Sequence, residues 1–333
     1  MLAEQCLAIA LVAAQVGIAV AAASQGVSGG DEDPDVLPMP QDVHGDTQFR
    51  RCRADELAFG STRRVRVEFM GIHHLNCGTL RPASARLVNG RGGLLERARL
   101  ACNCLLVEHA AGEYTLIDTG LGTLDLADPV GRLGQEFVRR CGPALDPAEP
   151  AVAQVAALGI DPRRVTSIVL THHDLDHAGG LADFPWAEVH LSSAHLSLIA
   201  PALDARLAGR LRPQQWRHGP LWRPAQLRGR GLGRPSAQVN DRIHLVALDG
   251  HIEGHCGVMI TRPGLGPLLH VGDAVYDTRV LRGGRTPLGL AVFERLMRTD
   301  RRAWRESRAW LYRQVAEGVD VLCAHERDVS FSH

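Results

Sequence analysis

The sequence predicts an α/β fold built around one large domain. Short apolar or alternating runs bounded by Gly, Pro and Asp read as strands, among them Leu100 to Glu108, Val165 to Leu170, Arg242 to Leu248 and Val319 to Cys323. Longer runs with helical spacing lie between them, at Val130 to Cys141, Glu149 to Leu158 and Phe293 to Val315. Histidine and aspartate gather just beyond strand ends, where an α/β fold presents its loops.

Composition narrows the function. The 333 residues are 45% hydrophobic, enough for a globular core with additions. Lys plus Arg and Asp plus Glu both number 37, so the balanced charge argues against a dedicated nucleic-acid binder. The eight cysteines contain no Cys-x-x-Cys pair, which speaks against a zinc ribbon. Cys102 and Cys104 share one face of a strand and read as small core hydrophobes. Several unpaired thiols fit a reducing, cytoplasmic compartment.

Residues 1–63 read as a leader and linker with little order, which leaves 64–333 as the domain. Cys6 to Ala23 has the length of a signal-peptide core or a thin membrane span, but Glu4 precedes it and no Lys or Arg does. The expectation is therefore no membrane association, with secretion or anchoring through this segment as the alternative. Arg64 to Met70 alternates as a first strand. His73 and His74 follow it without an expected ligand role. Leu80 to Ala98 reads as an exposed loop around Asn89-Gly-Arg-Gly-Gly93.

Leu100 to Glu108 and Tyr114 to Ile117 form a hairpin around Ala111-Gly112. Ala187 to Leu191 is a further strand, and Ser193 to Leu207 a helix. His190 and His195 read as surface or packing residues. Near 207–235 the pattern breaks into a stretch rich in Arg, Gly and Pro. It reads as an insertion over the site, with Trp216 and Trp222 either walling an apolar substrate pocket or anchoring a long loop. Strands at Val258 to Ile260 and Pro267 to Val271 follow.

The strand Val165 to Leu170 leads into Thr171-His-His-Asp-Leu-Asp-His177 and closes on Gly179-Gly180. His172, Asp174, Asp176 and His177 thus crowd within six residues. Adjacent carboxylates repel and resist burial, and a divalent cation removes both penalties.

This stretch resembles the metallo-β-lactamase superfamily signature His-x-His-x-Asp-His, with Asp174 where most members carry His. The other elements of that resemblance follow in order. Leu116-Ile-Asp-Thr-Gly120 is similar to its early turn, whose aspartate, here Asp118, supports the ligand loop. Gly250-His-Ile-Glu-Gly-His255 resembles its Gly-His turn, and Gly272-Asp273 its bridging aspartate. Val319 to His325 resembles its last ligand strand. The resemblance implies an αββα sandwich with two divalent metal ions. His172, Asp174 and His251 would hold one, Asp176, His177 and His325 the other, and Asp273 both. Zinc is the first expectation; the oxygen ligand at Asp174 makes iron or manganese an alternative.

Two such ions can share a hydroxide nucleophile and polarise a carbonyl. Asp176 would also move a proton. Asp273, where β-lactamases usually carry Cys, speaks against antibiotic hydrolysis. Tyr276, three residues on, resembles the tyrosine of N-acyl homoserine lactone lactonases, whose phenol hydrogen-bonds the substrate. For Tyr276, packing at a strand–loop junction is the competing reading. His255 reads as a brace for the ligand loop, and Cys256 and Cys323 as core thiols. The expected activity is therefore opening of a lactone or related ester, with an apolar portion on the small-molecule substrate. A thioesterase like glyoxalase II or a phosphodiesterase is the alternative, and a non-hydrolytic di-iron protein or a structural metal protein stands behind those. The sequence is also compatible with a homodimer.

Overall fold

A computed structural model of the chain describes residues 71–200, 202–327 and 329. The strand expected at 64–70, the apolar segment 6–23 and the linker lie outside them. Two sheets carry the fold. The first has six strands in sequential order: β1 (Ile72–Leu80), β2 (Leu100–Glu108), β3 (Tyr114–Ile117), β4 (Val165–Val169), β5 (Glu188–Ser192) and β6 (Leu221–Ala225). β1, β2 and β3 pair antiparallel, and β3 to β6 run parallel. The second holds β7 (Ser236–Gln238), β8 (Ile243–Ala247), β9 (Cys256–Ile260), β10 (Leu268–His270) and β11 (Asp320–Leu322). Its strands pair antiparallel except β10 with β11.

The layers follow from the period of two along each strand. On β2, Leu105 and Val107 face the second sheet, where they meet Leu245, Val258 and Leu268. Cys104 and Leu106 face the other way, onto Ala151 and Val155 of the Ala151–Ala157 helix. The second sheet repeats the scheme: Val246, Met259 and Leu269 turn outward to Trp310 and Leu311 of the Arg301–Ala316 helix. Each fully buried aliphatic side chain contributes roughly 1.5–3 kcal/mol. Both faces of both sheets are covered, so helix, sheet, sheet and helix stack as an αββα sandwich.

Several helices are shorter than their patterns suggested. The run Val130 to Cys141 splits into Pro129–Leu133 and Gln135–Cys141, because Gly134 takes φ 87° between them. Phe293 to Val315 divides into Leu288–Met297 and Arg301–Ala316. The break is a capping signal: Asp300 Oδ1 accepts from Arg302 N at 2.8 Å and from Ala303 N at 3.0 Å. The helix expected from Ser193 stops at Ser197, and the sequence carries Pro201 soon after. The insertion contains β6, an exposed edge strand that tolerates Pro224. Leu80 to Ala98 holds one short helix, Ala85–Val88. Among the described residues no helix is long and apolar enough to cross a membrane.

Candidate metal centre

The ends of β3, β4, β8, β10 and β11 meet along one edge of the sandwich. The turns beyond them carry Asp118, His172, His251, Asp273 and His325 respectively. Asp118 takes φ 52°, an uncommon conformation for a residue with a Cβ, and one that aspartate tolerates better than most. Its carboxylate accepts from Thr171 N, Thr171 Oγ1 and His177 Nδ1, each at 2.8 Å. The Thr171 hydroxyl spends its hydrogen on Asp118, so it accepts from His172 Nδ1 at 3.0 Å. His325 Nδ1 donates to Ala101 O at 2.8 Å. In all three histidines the outer nitrogen is held as a donor, and Nε2 turns toward one region, where it can offer its lone pair to a cation.

The seven residues singled out in the sequence converge there. His172 Nε2 lies 3.3 Å from Asp174 Oδ2, and His251 Nε2 lies 3.0 Å from the same oxygen. Asp273 Oδ2 stands 3.9 Å from His172 Nε2 and 3.4 Å from His251 Nε2. Its other oxygen, Oδ1, is 3.3 Å from His177 Nε2 and 3.2 Å from His325 Nε2. Asp176 Oδ2 is 3.7 Å from His325 Nε2. Ligands about 2.0–2.1 Å from a tetrahedral zinc ion are themselves separated by about 3.3–3.4 Å. His172 Nε2, His177 Nε2 and Asp273 Oδ1 are buried without a hydrogen-bond partner. Such orphaned acceptors are costly unless a cation takes their lone pairs, so the donor set fits divalent metal. The two oxygens of Asp273 face different donors, which splits the cluster into two positions.

Charge is balanced locally. Burial alone would raise the Asp174 and Asp273 carboxyls. Arg210 and His172 hold Asp174 well below the usual range, and His325 and His177 do the same for Asp273. Asp176 is raised by burial. Tyr276 is 4% exposed; burial pushes its phenol well up, and the Asp273 carboxylate adds to that. Its ring stacks on His325 with centroids 5.2 Å apart and meets His251 edge-on at 6.0 Å. Its ring therefore packs beside histidines of both donor sets.

Sequence reasoning missed four contributors. Arg210, in the insertion, donates from Nε to Asp174 Oδ1 at 2.7 Å and from Nη2 to Asp174 Oδ2 at 2.5 Å. His195, expected at the surface or in packing, is buried and ties two ligand loops together. Its Nε2 accepts from His173 N at 3.1 Å and its Nδ1 donates to Glu253 O at 2.8 Å. His173 stacks on His195 at 5.0 Å and receives the edges of Trp216 and Trp222 at 5.5 and 5.3 Å. The two tryptophans thus anchor the insertion onto the ligand loop, and neither lines the cavity beside Tyr276. Cys102, taken for a plain core thiol, lies against Asp176 and His325. No local pattern distinguishes Arg210 from its neighbours Arg206 and Arg212, since its role depends on a long-range contact. His255 does brace the site: Nδ1 donates to Leu248 O at 3.0 Å and Nε2 accepts from Asp273 N at 3.1 Å.

A cavity of about 660 Å³ opens beside Tyr276 and His325. Val88, Leu100, Pro287 and Leu290 give it apolar wall, and Arg282, Arg285 and Arg327 bring guanidinium groups to it.

Comparison with known proteins agrees with this arrangement. A family model described as the metallo-beta-lactamase superfamily matches residues 97–324. A probable metallo-hydrolase of Mycobacterium tuberculosis is 33% identical over 308 residues, covering 87% of this chain and 92% of that one. The N-acyl homoserine lactonase AttM of Azorhizobium caulinodans is 32% identical over 180 residues, with 51% of this chain and 64% of that protein covered. Among solved structures, an N-acyl homoserine lactone hydrolase with N-hexanoyl-L-homoserine at its catalytic metal centre superposes with a TM-score of 0.58 at 17% identity. That match covers 76% of this chain and 92% of the other, and it shows a shared fold. Fold, ligand edge and sequence match agree: the chain belongs to the metallo-beta-lactamase superfamily and is a metal-dependent hydrolase.

Proposed function

We propose that the protein is a dinuclear metallohydrolase that opens a lactone or related carboxylic ester. The observation that carries this is Asp273, one carboxylate facing two separate sets of donors with the Tyr276 phenol packed beside both. His172, Asp174, His251 and Asp273 would hold one ion, and Asp176, His177, His325 and Asp273 the other. Zinc suits the imidazole-rich set, with iron or manganese as alternatives. When bound, such ions supply Lewis acidity and lower the pKa of water.

The protein's own groups do the rest. Tyr276, protonated at neutral pH, donates to the ester's carbonyl or ring oxygen as negative charge develops there. Asp176, raised by burial, takes a proton from the attacking water and returns it to the leaving alkoxide. The cavity's apolar wall suits an acyl chain. The lactonases among the relatives and neighbours make N-acyl homoserine lactones the first substrates to try. A second reading, an ester that carries an anionic group, is favoured by Arg282, Arg285 and Arg327 at the cavity. The described cysteines are free thiols, which supports a cytoplasmic setting.

The test is hydrolysis of N-hexanoyl homoserine lactone by zinc-loaded protein, followed by proton release. Tyr276→Phe should lower kcat about 10²-fold, the scale of removing one donor to a developing oxyanion. Lactone turnover that is absent, or indifferent to Tyr276→Phe and Asp273→Asn, would sink the lactonase reading.

A further inference from the structure

The two metal positions differ in what already occupies their lone pairs. At the position formed by Asp176, His177, Asp273 and His325, His177 Nε2 and Asp273 Oδ1 have no hydrogen-bond partner, and His325 Nε2 faces the Asp176 and Asp273 carboxylates. At the other, His172 Nε2 is likewise unpartnered, but Arg210 is engaged with the remaining ligands. Its Nη2 donates to Asp174 Oδ2 and also to His251 Nε2, the lone pair a metal would need. Its Nη1 donates to Met297 O at 2.8 Å and to His251 O at 3.2 Å, and its Nε to Asp174 Oδ1. All five guanidinium N–H groups are thereby used, and the side chain is 15% exposed.

The position of this arginine is fixed from several sides. Leu211, beside it, is fully buried. Gln215 donates to Asp125 at 3.1 Å, Arg132 to Gln214 O at 2.6 Å, and Arg212 to Gly131 O at 3.1 Å. Met297 O belongs to the last turn of the Leu288–Met297 helix, where carbonyls lack helical partners. These contacts hold the guanidinium beside the ligands. It also accounts for the chain's departure from histidine at Asp174. A carboxylate accepts a two-pronged guanidinium and a neutral imidazole does not.

Resting on the two-metal reading, we propose that Arg210 makes the positions inequivalent: the Asp176–His177–Asp273–His325 site fills first, and the His172–Asp174–His251–Asp273 site fills only as Arg210 withdraws from His251 Nε2. A lone pair cannot serve an N–H donor and a metal together. A fixed cation beside an incoming cation also repels it. Asp174 has two oxygens, so Nε can keep Oδ1 while Oδ2 turns to the metal. Arg210 is thus a positioning residue that sets the occupancy of one site.

The test is calorimetric titration of metal-stripped full-length protein with Zn²⁺, with elemental analysis of the product. Wild type should bind one equivalent tightly and the second at least about tenfold more weakly, the scale on which groups behind the ligands shift metal affinity. Arg210→Met should tighten the weak step about tenfold or more and leave the tight step unchanged. Arg210→Lys, which keeps the charge but cannot span Asp174 and His251 together, should fall between. It also keeps the test open if the methionine variant does not fold. His325→Ala should remove the tight step.

Two equal tight steps in wild type would overturn the inference while leaving the two-metal reading in place. A weak step that both Arg210 variants leave unchanged would overturn it too. One equivalent in wild type and in Arg210→Met would overturn both. Lactone turnover by the singly loaded protein would then show whether hydrolase chemistry survives without the second ion. Full agreement with the expected titration but no lactone turnover would sink only the substrate assignment.

Discussion

Asp118 binds no predicted metal, yet three of its hydrogen bonds decide how His177 and Thr171 present themselves. Asp118→Asn isolates that role, because asparagine also tolerates the left-handed conformation. Its amide has one acceptor oxygen where the carboxylate has two, so it cannot serve Thr171 N on one side and His177 Nδ1 with Thr171 Oγ1 on the other, and the hold on the ligand loop weakens. Zinc affinity should fall about 10–100-fold in competition against a chelator. Unchanged affinity would mean that Asp118 serves the backbone alone.

His195 sets a pH dependence. Burial pushes its pKa down from 6.5 to about 4. In the unfolded chain it takes up a proton below its ordinary value, while the folded protein resists until about pH 4. Its contribution is therefore present above pH 6.5 and lost as the pH falls toward 4. By pH 5 the loss is about 2 kcal/mol. His173, His255 and His270 are lowered by burial as well, so the wild-type loss should be larger. His195→Gln should remove its share of the slope, as read by urea unfolding at pH 7 and pH 5. Parallel curves for the two proteins would count against it.

At the scale of elements, the His251 turn depends on how closely a helix approaches it. Gly250 takes φ 130°, and a Cβ there would stand 2.3 Å from Trp304 Cα in the Arg301–Ala316 helix. That neighbour is backbone and cannot step aside. Gly250→Ala should cost roughly 2–4 kcal/mol and loosen the His251 turn. Urea unfolding together with zinc binding would read both effects. The same helix begins at Asp300, whose replacement by Ala should cost about 1 kcal/mol, with little effect on zinc.

These elements also show what the sequence makes legible. The hairpin of β2 and β3 was readable to the residue, because alternation and the Ala111-Gly112 turn agree. The ligand turns were readable because His and Asp at strand ends have few other uses. Helix breaks at Gly134 and Asp300 were hidden because apolar spacing carried across them. Arg210 was hidden more deeply. Its partners Asp174, His251 and Met297 are 36, 41 and 87 residues away, and local pattern cannot reach that far.

For the whole molecule, the decisive feature is that the donors come from both sheets. His172, Asp174, Asp176 and His177 follow a strand of the first sheet; His251, Asp273 and His325 follow strands of the second. Between the sheets lies an apolar layer, including Leu105, Val258 and Leu268, that holds them face to face, and a few hydrogen bonds cross it, such as Asn103 Nδ2 to Cys323 O and Cys256 N to Thr171 O, each at 3.0 Å. Metal at the edge would therefore act as a cross-link between layers as well as a reagent. Anything bound only by the native state stabilises it by mass action, about 2.7 kcal/mol when its free concentration is 100 times Kd. For a domain of this size that corresponds to a rise in Tm of roughly 5–10 °C. Thermal unfolding of zinc-loaded protein should shift down by that amount on adding a chelator. His325→Ala should keep only a small part of the shift, since it removes the tight step and leaves the weaker position of His172, Asp174 and His251. A Tm indifferent to zinc in both proteins would mean that the ligand edge is organised by its hydrogen bonds alone, with the apolar layer carrying the join between the sheets.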